Sequence, residues 1–178
     1  MEVKLMTTEK MTCRATRSLT NHRVFPADIN EHGTVFGGRT LALVDDSSSV
    51  SAARVSKQIQ VTAAMDHMQF LNPFAVPETM VIDSYVTGTS KRSMEVFVKV
   101  MGEDLTTGGR FLGFTCFVTF VTAASPADPE LPEIVPETDE EKFLCAGYEA
   151  RVQERKAGRA TERETLTHID LEAPEFKK

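Results

Sequence analysis

The stretch HGTVFGGRTLALVDD, residues 32–46, places Gly37 and Gly38 where a helix should begin and two acids, Asp45 and Asp46, about two turns further on. A helix N-terminus presents unpaired backbone N–H groups and a partial positive charge, and glycine lets a ligand come close to them. Such amides can hold the negative charge that develops on a carbonyl oxygen under attack. Loss of one donor of this kind typically costs roughly 2.7–4 kcal/mol of barrier. The same glycines would also serve a tight loop-to-helix turn or close packing of helix on sheet. Asp45 follows Gly38 by seven residues, near the same side of the helix but roughly 10 Å along its axis. One reacting atom cannot touch both within a single straight helix. A long cleft or a second subunit must join them, and a two-fold dimer would set the loop and helix start of one chain against Asp45 of another. Asp46 points about 100° away and is expected at the surface.

Other residues offer weaker chemistry. Asn30 lies in Asp28-Ile29-Asn30, where an Asx residue stabilises a turn, orients water or hydrogen-bonds a carbonyl. His32 and His67 are general-base types, but neither has an acidic or metal partner by spacing, and Asp66 and His67 are expected on opposite faces of a strand. No Gly-x-Ser-x-Gly elbow occurs, and no cysteine stands in a nucleophile motif. Thr87-Gly88-Thr89-Ser90-Lys91-Arg92-Ser93 combines hydroxyls with two cations, which suits phosphate contacts or an ordinary polar hairpin. Cys13, Cys116 and Cys145 are odd in number and widely spaced, so reduced structural thiols are expected, with no disulfide framework and no zinc motif.

The elements that must position these groups follow from periodicity. Residues 12–19 read as a first strand, and residues 21–38 as an extended connection ending at a helix start. From Gly38 to about Ser56, Leu41, Val44, Ser48, Ala52 and Val55 recur on one helical face. The Ser-rich middle has modest helix propensity, so tertiary packing must supply stability, and its small side chains permit close approach to a sheet. Four strand-like runs follow: VTAAMDHMQFL, TMVIDSYVT, SMEVFVKVM and RFLGFTCFVTFV. The third alternates, with Met94, Val96, Val98 and Val100 on one face and Glu95 and Lys99 on the other, while the fourth is apolar on both. Turns are expected at Asn72-Pro73, Gly88 and Gly108-Gly109. One helix followed by a curved antiparallel sheet that wraps it satisfies this order.

The chain has 178 residues, 41% hydrophobic and 26% charged, which suits one globular domain with appendages. A domain over 10–123 is expected, then an acidic, proline-rich connection over 124–141, a basic C-terminal helix over 142–159 and a disordered tail over 160–178. The formal charge of −6 disfavours sequence-independent nucleic-acid binding. The N-terminal run lacks a signal-peptide pattern and no run reaches membrane-spanning length, so a cytoplasmic protein without membrane insertion is expected.

FPADINEHGTVFGGRTLALVDD, then VTAAMDHMQFLNP, GTSKRSMEVFVKV and GFTCFVTFV, resembles in order the bacterial and brain-type acyl-CoA thioester hydrolases of hotdog fold. The likeness runs from about Arg17 to Arg155. It implies an α+β hotdog fold, with a five-stranded antiparallel sheet wrapped around a long central helix, plus a C-terminal helix. It also implies dimers with a continuous sheet, commonly as a trimer of dimers, that hydrolyse fatty acyl-CoA without metal or cofactor. By the same resemblance Asn30 and Asp45 are the functional asparagine and helix carboxylate, meeting across the dimer, and Gly37 and Gly38 supply the helix-start amides. Asp46-Ser47-Ser48-Ser49 departs from the more apolar run of the relatives. For coenzyme A, Ser90, Lys91 and Arg92 are the first contacts expected, with Arg151 and Arg155 next. Two other readings fit the residues: a hotdog hydratase or dehydratase using His32 with Asp45, and an acyl-CoA-binding regulatory module without turnover.

Overall fold

Strand and helix periodicities alternate along the chain as the hydrophobic pattern requires. The computed structural model describes residues 9–123 and 130–171. In order the elements are β1 (Lys10–Thr12), α1 (Cys13–Thr16), β2 (Ser18–Arg23), a 3-10 turn (Pro26–Asp28), α2 (Gly37–Ser56), β3 (Gln60–Phe70), β4 (Thr79–Thr89), β5 (Ser93–Glu103), β6 (Arg110–Thr122), β7 (Glu133–Val135), α3 (Asp139–Ala146) and α4 (Tyr148–Thr167). Five strands form one antiparallel sheet in the order β2-β4-β5-β6-β3, and β1 pairs in parallel with β7. The sheet encloses α2, which is the hotdog arrangement expected.

The inner face of the sheet supplies Met80, Ile82 and Val86 from β4, Met94, Val96, Val98 and Val100 from β5, and Phe114, Cys116, Val118 and Phe120 from β6. Against them α2 sets Val44, Ala52 and Val55, with Leu41 partly buried. Between these apolar anchors the helix buries hydroxyls and satisfies them. Ser51 Oγ lies 2.9 Å from Ser84 Oγ and donates to the Ser84 carbonyl at 3.1 Å, while Ser47 Oγ lies 3.2 Å from Thr20 Oγ1. Small side chains let α2 approach the strands closely, and bonding their hydroxyls removes the desolvation cost. Lys57, left-handed at φ 50°, ends the helix with its N–H on the Ala53 carbonyl.

Several sequence expectations require correction. Residues 12–19 are not one strand: Thr12 Oγ1 caps the Ala15 N–H at 3.2 Å and the Thr16 hydroxyl donates to the Cys13 carbonyl at 2.8 Å, so a helical turn interrupts the run. Gly88 lies inside β4 at a register shift against β5, and the turn falls at residues 90–92. The polar side of β5 is not solvated. Glu95 is 1% exposed, accepting a bond from the Thr87 hydroxyl at 2.7 Å, and Lys99 lies 2.7 Å from Glu140 and 3.7 Å from Asp83. Arg17 forks onto Asp83 at 2.8 and 3.1 Å, so α1 and α3 cover an outer face that would otherwise meet water. The C-terminal helix is two helices divided at Gly147. The second continues to Thr167, past the expected end at Arg159, because residues 160–167 are mostly compatible with helix. Within the expected connection, residues 133–135 form β7 and α3 begins at Asp139; residues 124–129 and 172–178 of the connection and tail lie outside the described residues. The chain divides into two units, Met1–Cys145 and Ala146–Lys178, and the second carries α4. Among the described residues no helix is long and apolar enough to cross a membrane.

One contact supports the loop that carries Asn30. The ring of Phe74, buried, rests against Gly113 of β6 where a Cβ would stand, and the Phe74 carbonyl accepts the Val35 N–H at 2.8 Å. Gly113→Ala should therefore displace Phe74 and lower the thermal midpoint by several degrees, on the order of 1–3 kcal/mol. A midpoint within about 1 °C of wild type would show that the ring does not depend on this glycine.

Candidate active site

Asn30 opens a tight loop. Its Oδ1 accepts the N–H groups of His32 at 3.0 Å and Thr34 at 3.2 Å and the Thr34 hydroxyl at 3.3 Å, while its backbone N–H donates to the Thr34 carbonyl at 2.8 Å. Gly33, at φ +77°, makes the reversal. Two backbone donors on one side-chain atom fix that atom as oxygen, so the amide nitrogen is left over as a donor. Sequence spacing left Asn30 open between a turn residue and a ligand group; the loop geometry lets it be both.

The loop returns to α2 at Phe36, which caps the helix without a side-chain bond. The N–H groups of Arg39 and Thr40 reach the Phe36 carbonyl at 2.8 and 3.2 Å. Those of Gly37 and Gly38 have no acceptor among the described residues, so two helix-start donors remain available to an anion. Phe70, at the end of β3, stands 3.7 Å from where a Cβ on Gly37 would lie, and Phe36 stands 2.5 Å from one on Gly38. Both rings are exposed in the single chain.

Asp45, further along α2, is half-buried, and its Oδ1 accepts the Thr62 hydroxyl of β3 at 2.6 Å. Asp46 is exposed, as its angular offset requires. Thr62 was not singled out from the sequence. The one available signal is a hydroxyl in the apolar-alternating run that follows the helix, and β3 brings it to Asp45 beside a register shift between Thr62 and Ala64. One edge strand thus flanks both halves of the site, Phe70 beside the helix start and Thr62 beside the carboxylate. No hydrogen bond joins Asn30 to Asp45 within the protomer among the described residues.

The remaining candidates separate. His32 is 77% exposed at the loop tip, with Glu31 3.4 Å from its ring. His67 and Asp66 are not parted across the strand: His67 is left-handed at φ 50° in an irregular part of β3, which brings its Nε2 to 3.8 Å from Asp66. Ser90 and Ser93 close the β4–β5 hairpin, their hydroxyls 2.6 Å apart, and Lys91 is exposed at its tip. The Arg92 guanidinium instead turns back, donating to the Thr122 carbonyl at 2.9 Å. Arg151 and Arg155 lie four residues apart on one face of α4. The fold brings Cys13 and Cys145, distant in sequence, to 3.6 Å between sulfurs, and all three cysteines are free. The bond to Cys145 and burial push the Cys13 thiol up, and burial pushes Cys116 up to about 12, so neither is a ready thiolate.

A hotdog enclosure with open helix-start amides and a helix carboxylate defines a thioesterase-like protein, and comparison with known proteins agrees. The thioesterase superfamily profile matches residues 32–108. The uncharacterised acyl-CoA thioester hydrolase YkhA of Bacillus subtilis is 44% identical over 151 residues, 84% of this chain and 88% of its own. The chain belongs to the acyl-CoA thioester hydrolase family, and its activity class is enzymatic thioester hydrolysis. The acyl-CoA hydrolase of Bacillus cereus superposes with a TM-score of 0.85 at 36% identity, covering 92% of this chain and 99% of that one. That of Staphylococcus aureus, in complex with butyryl coenzyme A, coenzyme A and coenzyme A disulfide, gives 0.82 at 29% identity over 89% and 98%. It has also been solved with an aspartate, an asparagine or a threonine replaced by alanine. An apo-hexameric acyl-CoA thioesterase gives 0.80 at 32% identity over 85% of this chain and 98% of that one. The rat cytosolic acyl coenzyme A thioester hydrolase is 31% identical over 87% of this chain, which spans 42% of the rat protein.

A Cβ on Gly38 meets only the exposed ring of Phe36, which can rotate away. Gly38→Ala should therefore keep the fold, with an unchanged or slightly raised thermal midpoint, since alanine favours helix by about 1 kcal/mol. Because the added methyl crowds the open amides without removing them, acyl-CoA turnover should fall at least tenfold, towards the roughly 100–1,000-fold that loss of one oxyanion donor costs. Full turnover in this variant would remove the helix start from the site.

Proposed function

We propose that this chain hydrolyses acyl-CoA at a site shared by two protomers, where Asn30, Gly37 and Gly38 of one chain meet Asp45 and Thr62 of the other. The observation that carries the reading is the pair of unspent donor sets: the Asn30 amide nitrogen, whose oxygen is held by its own loop, and the Gly37 and Gly38 N–H groups. Converging on a thioester carbonyl, they stabilise the oxyanion of the tetrahedral intermediate. Asp45, oriented by Thr62, either draws a proton from water or attacks directly to give a mixed anhydride. The thiol of coenzyme A leaves, and water is the only co-reactant; no metal or cofactor takes part.

The replaced asparagine, aspartate and threonine of the Staphylococcus aureus enzyme are separated by 15 and 17 residues, the intervals that separate Asn30, Asp45 and Thr62 here, which supports this residue set. The edge position of β3, with exposed Val61, Met68 and Phe70, supports pairing with a second copy. The hexameric relative supports a trimer of such dimers, and the cytosolic relative supports a cytoplasmic location. Coenzyme A phosphates are taken by Lys91 and Ser90, with Arg92 holding the turn. His32 is exposed, and among the described residues its one ion-pair contact is with Glu31, its sequence neighbour, so the hydratase reading gains no support from it.

Asp45→Asn should fold normally and lower kcat for thiol release about 100–1,000-fold, with Thr62→Val losing roughly 10–100-fold, the worth of a hydrogen bond to a charged group. Near-normal rates in Asp45→Asn would end the assignment. A single turnover in 18O-water separates the two mechanisms. A general base puts solvent oxygen into the released acid, whereas direct attack with hydrolysis at the aspartyl carbon delivers an unlabelled protein oxygen. For the nucleotide end, Lys91→Glu should raise KM for acyl-CoA several-fold more than it lowers kcat, and an unchanged KM would exclude Lys91 from the ligand site.

A further inference from the structure

Asp28 is 7% exposed and joins three parts of the chain. Its Oδ2 accepts the Phe25 N–H at 2.9 Å and lies 2.9 Å from Nε2 of His22 on β2. Its Oδ1 accepts Nε of Arg39, in the first turn of α2, at 2.9 Å. Its carbonyl accepts the N–H of Phe36, the residue that caps α2, at 2.9 Å. A buried carboxylate without partners would be strongly unfavourable; this one has a backbone N–H, an imidazole and a guanidinium. Each partner belongs to a different part of the path that leaves β2, passes Asn30 and enters α2.

We infer that Asp28 is a positioning residue for acyl-CoA hydrolysis: its carboxylate locks the end of β2, the Asn30 loop and the first turn of α2 into one block. The Asn30 amide and the Gly37 and Gly38 N–H groups are then held at a fixed mutual geometry. This rests on the reading that those donors hold the thioester oxygen. The loop's own bonds around Asn30 shape its tip but do not tie it to the helix; Asp28 supplies that tie through Arg39 and Phe36. Preorganised donors stabilise a developing charge without reorganising, so a loosened block should lose turnover more than ground-state binding.

The charge state suits the role. Burial alone would push the Asp28 carboxyl up, but the bonds from Phe25, His22 and Arg39 outweigh it and hold the group below the ordinary carboxylate range. The ionised clamp is therefore fully present above about pH 4, the unfolded-chain value, and is released only as pH falls through the lower folded value.

The test is a double-mutant cycle in full-length protein, with kcat and KM read from thiol release on butyryl-CoA well below the thermal midpoint. Asp28→Asn should lower kcat roughly 10–100-fold while KM stays within about threefold. In an Asn30→Ala background the same change should cost at least about threefold less, because two residues acting through one geometry are not additive. An unchanged kcat, or an undiminished loss in the Asn30→Ala background, overturns the positioning role. Should Asp28→Asn fail to fold, Arg39→Met removes one arm of the clamp from a partly exposed position, with a smaller kcat loss and the same non-additivity expected, and the same contrary results decisive. The two readings fail differently. Near-wild-type kcat in both Asn30→Ala and Asp45→Asn would sink the site itself, whereas a crippled Asn30→Ala beside a fully active Asp28→Asn would sink only the clamp.

Discussion

The seating of α2 in the concave face of the sheet is the constraint on which the rest depends. That helix carries both ends of the proposed site, the glycine amides at its start and Asp45 in its middle, and its position fixes both at once. Its grip is an unusual mixture for a core helix. Val44, Ala52 and Val55 supply apolar contact, and the serines between them supply hydrogen bonds to β4 and β2. Bulkier residues would hold the helix further from the strands, and unbonded hydroxyls would leave buried polar groups unpaired.

Around this helix the chain distributes two kinds of fastening. On the inner side the contacts are largely apolar and non-directional, which suits the buried faces of β4, β5 and β6. On the outer side, Arg17, Asp83, Lys99, Glu140 and Tyr85 form a charged and hydrogen-bonded cover under α1 and α3. Near the helix start directional bonds are added to packing: Val24, Val35 and Phe74 join the apolar core, while Asp28 and the bonds around Asn30 set the orientation that apolar contact alone leaves free.

The edge strand β3 connects fold to function. It lies against Asp45 through Thr62 and against Gly37 through Phe70, and among the described residues it pairs with β6 alone. A strand in that position presents backbone donors and acceptors to a second copy. The separation of roughly 10 Å that keeps one helix from serving one reacting atom accords with the proposed sharing of the site by two chains.

Much of this was legible in the order of residues. The alternation in SMEVFVKVM and the largely apolar run RFLGFTCFVTFV mark strands whatever they pack against, and the glycine pair with its following helical face marks where α2 begins. Local pattern could not say what covers the second face of β5. Glu95 and Lys99 look solvated, yet Glu95 is buried with the Thr87 hydroxyl on its carboxylate and Lys99 meets Glu140 of α3, dozens of residues away. Nor could it pair Asp45 with Thr62, bring Cys13 to Cys145, or set Asp28 beside Arg39. Those contacts depend on where the chain returns in space, and periodicity reports only which face of an element seeks burial. The sequence by itself determined the elements, their faces and the chemical groups available. The tertiary structure decided which of those groups are already bonded to the protein, and so which remain free to act on a substrate.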